Sequence, residues 1–129
     1  MIPLVTCVFV RDGKVLVEKR PQDDDLEGGK YHFPAGHVDE GEILEEAVER
    51  EMEEELGVQI RNYKYLRKLP YRSSGRDFTV HYFVCIDWKG KIKSKNDAGK
   101  LFWLSLEDED KFSFEKDIEI VEEIFGNIN

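Results

Sequence analysis

The sequence contains few cysteines, no long apolar run and no excess of basic residues. Cys7 and Cys85 lie in β-like runs without a CxxC or another metal-ligand spacing, so we interpret them as small buried hydrophobes rather than as disulfide or zinc residues. No apolar run approaches the roughly 20 residues that a membrane-spanning helix requires, and the first residues do not resemble a secretory signal. We therefore expect a cytoplasmic protein without a membrane partner.

Basic residues are outnumbered, because 19 Lys and Arg stand against 28 Asp and Glu and give a formal net charge of −9. A surface of this sign repels a phosphate backbone, so the composition argues against a nucleic-acid-binding protein. An acidic site can still bind phosphates where a divalent cation screens its charge. The charge balance therefore favours a metal site over a polyanion site.

The length and composition predict one globular domain over residues 1–129. Of the 129 residues, 40% are hydrophobic, which is enough for a single core. No repeat, linker or low-complexity tail divides the chain. Between the apolar runs, "PQDDDLEGGK", "SSGR" and "KSKNDAG" have the composition of loops.

The order of patterned segments predicts an α+β protein with about six strands and two main helices. "PLVTCVFV" and "KVLVEKR" flank Asp12-Gly13 and predict an opening hairpin. "VQIRNYKYLRKLPYR", "DFTVHYFVCIDWKG" and "KLFWLSL" have the composition of later strands. One helix is predicted from about 42 to 56, ending at Gly57, and a second from about Phe114 to a cap at Gly126.

The first predicted helix carries glutamates where its core-facing side should be. At about 100° per residue, the apolar stripe consists of Leu44, Ala47, Val48 and Met52. Most of the glutamates fall on the opposite, solvent face of the helix: Glu45, Glu46, Glu49 and Glu53. Glu51 and Glu55, however, fall inside the apolar stripe and Glu54 at its border. Carboxylates gathered on a packed face need a partner, and oxygen ligands indicate Mg²⁺ or Mn²⁺.

The segment from Gly36 to Val58 resembles the Nudix box at every fixed position. Gly36, Glu42 and "REMEEELGV" from Arg50 onward have the spacing of that 23-residue pattern. A hairpin upstream, "FPAG" before the box and strands after it extend the resemblance over essentially the whole chain. The resemblance implies an α/β/α sandwich around a mixed sheet, and "VEKRP", "FPAG" and the chain length are most similar to the MutT-type nucleoside triphosphate pyrophosphohydrolases.

The resemblance also implies roles for individual residues. The predicted metal ligands are Glu51, Glu54, Glu55, the main-chain carbonyl of Ala35 and, in place of a further family glutamate, the shorter Asp97. Arg50 is expected to brace a carboxylate through its planar guanidinium. The structural positions of the box are Gly36, Glu42 and Gly57. We predict Glu51 as the general base, with Arg50 and Glu54 as the other catalytic residues, although the base differs among members of the family.

Substrate contacts are predicted by the same resemblance and have simpler structural alternatives. Lys19 and Arg20 end the second strand, where they are otherwise surface residues. His32 and Phe33 precede "PAG", although a strand phenylalanine is often a core residue. Asp117 lies near the position that reads a purine edge, and otherwise is an acid at a helix start. His37 and His81 lack a partner at ligand spacing and are interpreted as structural.

The predicted reaction is Mg²⁺-dependent hydrolysis of a nucleoside diphosphate linked to another group, most simply a normal or oxidised nucleoside triphosphate giving monophosphate and pyrophosphate. ADP-ribose, nucleotide sugars and dinucleoside polyphosphates remain alternative substrates, although Pro70 and Tyr71 come too early to match the markers of two such branches. A non-catalytic nucleotide-binding domain and an acidic interaction module are the alternatives outside enzymes. We expect a monomer or homodimer whose partner is a small nucleotide.

Overall fold

The computed structural model describes residues 1–19, 30–95 and 99–126. Within these ranges the chain forms seven strands: β1 (Ile2–Arg11), β2 (Lys14–Lys19), β3 (Tyr31–His32), β4 (Ala35–His37), β5 (Gln59–Ser73), β6 (Arg76–Lys89) and β7 (Lys100–Leu104). The helices are α1 (Leu44–Leu56), α2 (Glu115–Gly126) and a short 3₁₀ helix, Leu106–Lys111. A mixed sheet with two main helices confirms the predicted fold class. The strand count exceeds the predicted six because "YHFPAG" forms two short strands.

The sheet changes partners along β1, and this change opens the molecule at one end. The first eight residues of β1 run parallel to β6, and Leu4–Thr6 also pair with β4 in the antiparallel sense. Only Val10 and Arg11, at the far end of β1, pair with β2. The strand β2 then pairs with β3 and β7. The strands β1 and β2 are therefore paired only near their shared hairpin, which leaves room between β4 and β3 at the other end.

Two apolar layers cover the sheet, one beneath each main helix. Ala47, Val48 and Met52 of α1 are fully buried in one cluster with Val5 and Phe9 of β1. A second cluster on the other face joins α2 to β1 and β6 through Ile120, Val121, Val8 and Tyr82. Complete burial of such a side chain contributes about 1.5–3 kcal/mol. Cys7 and Cys85 are buried free thiols, as predicted, and burial raises the pKa of Cys7.

The helix α1 begins two residues later than predicted, at Leu44. A turn precedes it, in which the Glu42 N–H donates to Asp39 O at 3.0 Å and Gly41 has a φ of 84°. Glu42 therefore lies before the helix rather than in its first turn. At the other end Gly57 takes the left-handed conformation and its N–H donates to Glu53 O, as a C-terminal cap requires. No helix in the described ranges is long and apolar enough to cross a membrane.

Candidate active site

A cavity of about 370 Å³ occupies the open end of the sheet. Its lining comes from β1–β6, α1 and the start of α2, so almost every element contributes to it. One group of lining residues lies where β4 meets α1: Ala35, Gly36, Glu51 and Glu55. A second group, Tyr82, Lys116 and Asp117, lies where β6 meets α2. The cavity thus joins an acidic group at the predicted box to a polar group that is distant in sequence, with Lys116 and Asp117 more than 60 residues from Glu55.

Arg50 connects the turn before α1 to the carboxylates of the helix. Its Nε and Nη2 donate to the two oxygens of Glu42 at 2.8 and 2.9 Å, a bidentate pair. Its Nη1 donates to Glu51 Oε1 at 2.9 Å and to Glu54 Oε2 at 3.1 Å. The hydrogen bonds from Arg50, followed by the one from the Asp39 N–H, lower the pKa of Glu42 to about 2. Glu42 in turn raises the pKa of Arg50.

Gly36 lies directly against Glu51, which explains why this position of β4 has no side chain. A β carbon at position 36 would overlap the Glu51 carboxylate and lie only 2.5 Å from its Cγ. The φ of Gly36 is not in the left-handed region, so contact with Glu51 rather than backbone conformation demands glycine. Because Arg50 holds Oε1, the second oxygen, Oε2, is the one that faces Gly36. The Glu51 carboxylate therefore lies between the guanidinium of Arg50 and the backbone of Gly36.

The oxygen atoms at this end of the cavity suit a hard divalent cation. Glu51 and Glu55 line the cavity together with Ala35, whereas the Glu54 side chain is 58% exposed and bonded to Arg50. Across the described part of the chain, no three acidic, His or Cys side chains are gathered closely enough to hold an ion by themselves. Mg²⁺ commonly uses one or two carboxylates and keeps several waters. The donor set therefore fits Mg²⁺ or Mn²⁺, which the carboxylates of Glu51 and Glu55 could ligate.

Asp117 is a buried carboxylate whose two oxygens have different surroundings. Its side chain is only about 3% exposed. Oδ1 accepts hydrogen bonds from the Tyr82 hydroxyl at 2.9 Å and from Lys116 Nζ at 3.0 Å. Oδ2 is buried and has no hydrogen-bond partner among the described residues. Burial, and then the charge of Asp117, raise the pKa of Tyr82, so the phenol remains a donor.

The lining includes two charged residues that sequence reasoning did not select. Glu18 is 2% exposed and is the Cα partner of His32 across β2 and β3. Lys116 lies over the rings of Tyr71 and Phe114, with Nζ 4.6 and 4.9 Å from their centroids. Its position beside the predicted Asp117 was the one signal that could have found it. Glu18 gave no such signal, since in "VLVEKR" it has the appearance of an ordinary strand-end charge.

Three of the remaining residues singled out in the sequence line the cavity, and Lys19 does not. His32 and Phe33 line the cavity, and Phe33 is also a core residue at 3% exposure. Lys19 is not among the lining residues and lies over the Tyr31 ring at 5.5 Å. His37, interpreted as structural, lines the cavity while its carbonyl accepts from Arg50. Arg20 and Asp97, predicted for substrate and metal, lie outside the described residues.

Two of the helix glutamates assigned to the solvent face have partners, and the first is Glu46, which accepts a hydrogen bond from the Ile43 N–H. Glu49 is exposed, as predicted from the helical wheel, but its carboxylate accepts a hydrogen bond from the Tyr63 hydroxyl. Glu53 is exposed with no such bond among the described residues. Glu53, rather than Glu49, is therefore the solvent-face glutamate whose removal disturbs least.

Comparison with known proteins agrees with this geometry. The NUDIX domain family model matches residues 1–123. A CTP pyrophosphohydrolase from Escherichia coli is 32% identical over 108 residues, which cover 84% of this chain and 78% of that protein. An 8-oxo-dGTP diphosphatase from Buchnera aphidicola is 34% identical over 115 residues, covering 86% and 82%.

A solved structure shows the same fold over nearly the whole chain. The MutT NUDIX hydrolase from Burkholderia pseudomallei superposes with a TM-score of 0.78 at 26% identity, covering 95% of each chain. The resemblance predicted from the box is thereby confirmed in sequence and in fold. The Nudix box is complete, a mixed sheet opens beside the helix that carries most of it, and the family model matches residues 1–123. This chain therefore belongs to the Nudix family.

Proposed function

We propose that this chain hydrolyses nucleoside triphosphates to a nucleoside monophosphate and pyrophosphate. It is a Nudix hydrolase acting on acid anhydrides, and relatives of similar length are named for CTP and for 8-oxo-dGTP. One observation carries the proposal: a single cavity contains both the acidic group of Glu51 and Glu55 and the buried Asp117. The acidic group can bind the phosphates of a triphosphate through a metal ion, and Asp117 can bind its nucleobase.

At the acidic end, the surroundings of Glu51 suit a general base. Oε1 is held by Arg50, which leaves Oε2, on the Gly36 side, as the oxygen available to take a proton from an attacking water. Glu55 and Ala35 would help to hold Mg²⁺ or Mn²⁺, which when bound supplies charge neutralisation on the phosphate oxygens. Glu42 fixes the guanidinium of Arg50, so Arg50 orients Glu51 and Glu54 rather than reacting itself.

At the other end, Asp117 can recognise a base through Oδ2. Tyr82 and Lys116 both bind Oδ1, so Oδ2 is the carboxylate oxygen left to accept a hydrogen bond from the base. A buried acceptor without a donor is costly, so a base that presents an N–H group to it gains affinity. Glu18, His32 and Phe33 line the same cavity and are the residues we assign to the sides of the nucleotide. Lys19 and Arg20 remain predictions, as do the cytoplasmic location and the monomeric or dimeric state.

The test is a phosphate-release screen followed by isotope labelling. We expect turnover of nucleoside triphosphates with Mg²⁺ and none after chelation, and less turnover of ADP-ribose, nucleotide sugars or dinucleoside polyphosphates. Reaction in ¹⁸O water should then place the label in the monophosphate, because the nucleoside end is the end that Asp117 holds. Label found only in pyrophosphate would place the attack at the next phosphorus instead, and preferred turnover of ADP-ribose would refute the substrate class.

A variant pair tests the base-reading role separately from catalysis. Asp117→Asn should raise KM more than it lowers kcat, since a contact to the base gives mostly uniform binding. Asp110→Asn makes the same change on the exposed 3₁₀ helix and should leave both constants unchanged. A loss confined to kcat in Asp117→Asn would remove Asp117 from recognition.

A further inference from the structure

Both tryptophans of the chain line a groove that shares no residue with the cavity. Trp88 at the end of β6 and Trp103 on β7 are stacked, with ring centroids 6.4 Å apart and planes 21° apart. The groove has a volume of about 480 Å³, within the roughly 300–1,000 Å³ of small-molecule sites. We call it the tryptophan groove; its lining residues are Arg11, Leu16, Trp88, Gly90, Lys91, Ile92, Leu101 and Trp103.

Arg11 lies over both indoles of the tryptophan groove. Its Cζ is 4.6 Å from the Trp88 ring centroid and 5.4 Å from that of Trp103. The side chain belongs to an exposed residue and makes no ion pair with any described residue. A planar guanidinium in this position keeps an edge of N–H donors for an anion and a face on which a flat ring can stack.

Trp88 is packed against the core, and the two charged residues that line the groove are both cations. Phe9 packs edge-on against Trp88 at 5.2 Å, which ties the indole to the core. Lys91 lines the groove and adds a second cation. Asp12 and Asp87 line a neighbouring depression that also contains Arg11 and Trp88. Neither acid is among the lining residues of the tryptophan groove, so the groove itself favours an anion.

We propose that the tryptophan groove binds a nucleoside monophosphate at a second site, independent of the catalytic cavity. The base stacks on the Trp88, Trp103 and Arg11 surface, and the phosphate lies between Arg11 and Lys91. Aromatic stacking combined with cationic contacts is the combination that holds nucleotides without reading their sequence. A ligand with only one of the two features would leave either the aromatic surface or the cations unused. This inference does not depend on the proposed function, because no residue of the cavity takes part in it.

The chain provides its own probe for this site. Since both tryptophans line the groove and none lines the cavity, intrinsic tryptophan fluorescence reports on the groove. We expect adenosine monophosphate to change this fluorescence saturably, with excitation on the red edge of the indole band. Adenosine alone and inorganic phosphate alone should each bind about tenfold more weakly or worse, because each loses either the charged contacts or the stacking. No saturable change with adenosine monophosphate would overturn the proposal.

Three variants separate binding in the groove from an indirect effect. Lys91→Met and Arg11→Met should each weaken the fluorescence-detected binding about tenfold, the usual effect of losing one charge-assisted contact. Lys64→Met makes the same charge change on an exposed residue of β5 and should leave binding unchanged. Lys91 lies in an exposed segment after β6, so Lys91→Met should fold normally. It keeps the test valid if Arg11→Met unfolds the protein. Equal affinity in Lys91→Met and Lys64→Met would show that Lys91 does not contact the bound phosphate, and would refute the site.

Discussion

Replacing Gly36 by alanine should disable catalysis while leaving the fold intact. The added β carbon would lie 2.5 Å from Glu51 Cγ, whereas an ordinary carbon contact needs about 3.5 Å. Cγ must therefore move by about 1 Å, and the carboxylate, which lies closer still, must move further. A misplacement of about 1 Å at a reacting group can cost on the order of 100-fold in rate. We expect kcat to fall by about that factor.

Stability should respond much less than rate in Gly36→Ala, because the clash involves a side chain that can rotate and not the backbone. The measurements are kcat with a nucleoside triphosphate and the thermal midpoint of each protein. Gly126→Ala is the matched control, since a β carbon there meets nothing within 4 Å. Full activity in Gly36→Ala, or a loss of activity that tracks unfolding, would refute the close approach of Gly36 to Glu51 as the reason for this glycine.

Three further changes test the network around the cavity. Glu51→Gln should lower kcat by about 10² to 10⁴ if Glu51 is the base, while Glu53→Gln on the exposed face should keep full activity; similar rates in the two would refute that role. Since the pKa of Glu42 is lowered from 4.5 to about 2, its ionised form stabilises the fold above about pH 4.5, and this contribution disappears as the pH falls toward 2. The difference in thermal midpoint between the parent protein and Glu42→Gln should accordingly be constant above pH 4.5 and shrink below it, and a pH-independent difference would contradict the assignment. Tyr82→Phe removes one donor from a buried carboxylate and should cost about 1–3 kcal/mol of unfolding free energy by chemical denaturation; an unchanged free energy would show that Lys116 alone satisfies Oδ1.

The acidic end of the site was predictable because its information is local. Glu51 and Glu55 follow from helical periodicity alone, and both line the cavity. Their spacing on one helix fixes their direction wherever the helix packs. The hydrogen bonds from Arg50 to Glu42 are also local, since Glu42 lies two residues before the start of α1.

The end of the cavity proposed to bind the base was less predictable because its contacts are long-range. Glu18 is buried because β2 is paired on both edges, by β3 and by β7, and no short-range pattern indicates that pairing. Lys116 acquires its surroundings from Tyr71 on β5, which the sequence places 45 residues away. The start of α1 was predicted two residues early because the wheel does not detect the Asp39–Glu42 turn.

If Asp117 recognises the base as proposed, its hydrogen bond with Tyr82 couples substrate choice to the folding of the chain. Tyr82 is fully buried and belongs to the same apolar cluster as Ile120 and Val121 of α2. A mutation that alters Asp117 therefore also leaves a core phenol without its acceptor, so a change of preferred base at this position starts with a loss of stability. Divergence toward new nucleotides through Asp117 should accordingly occur only after stabilising mutations elsewhere have accumulated.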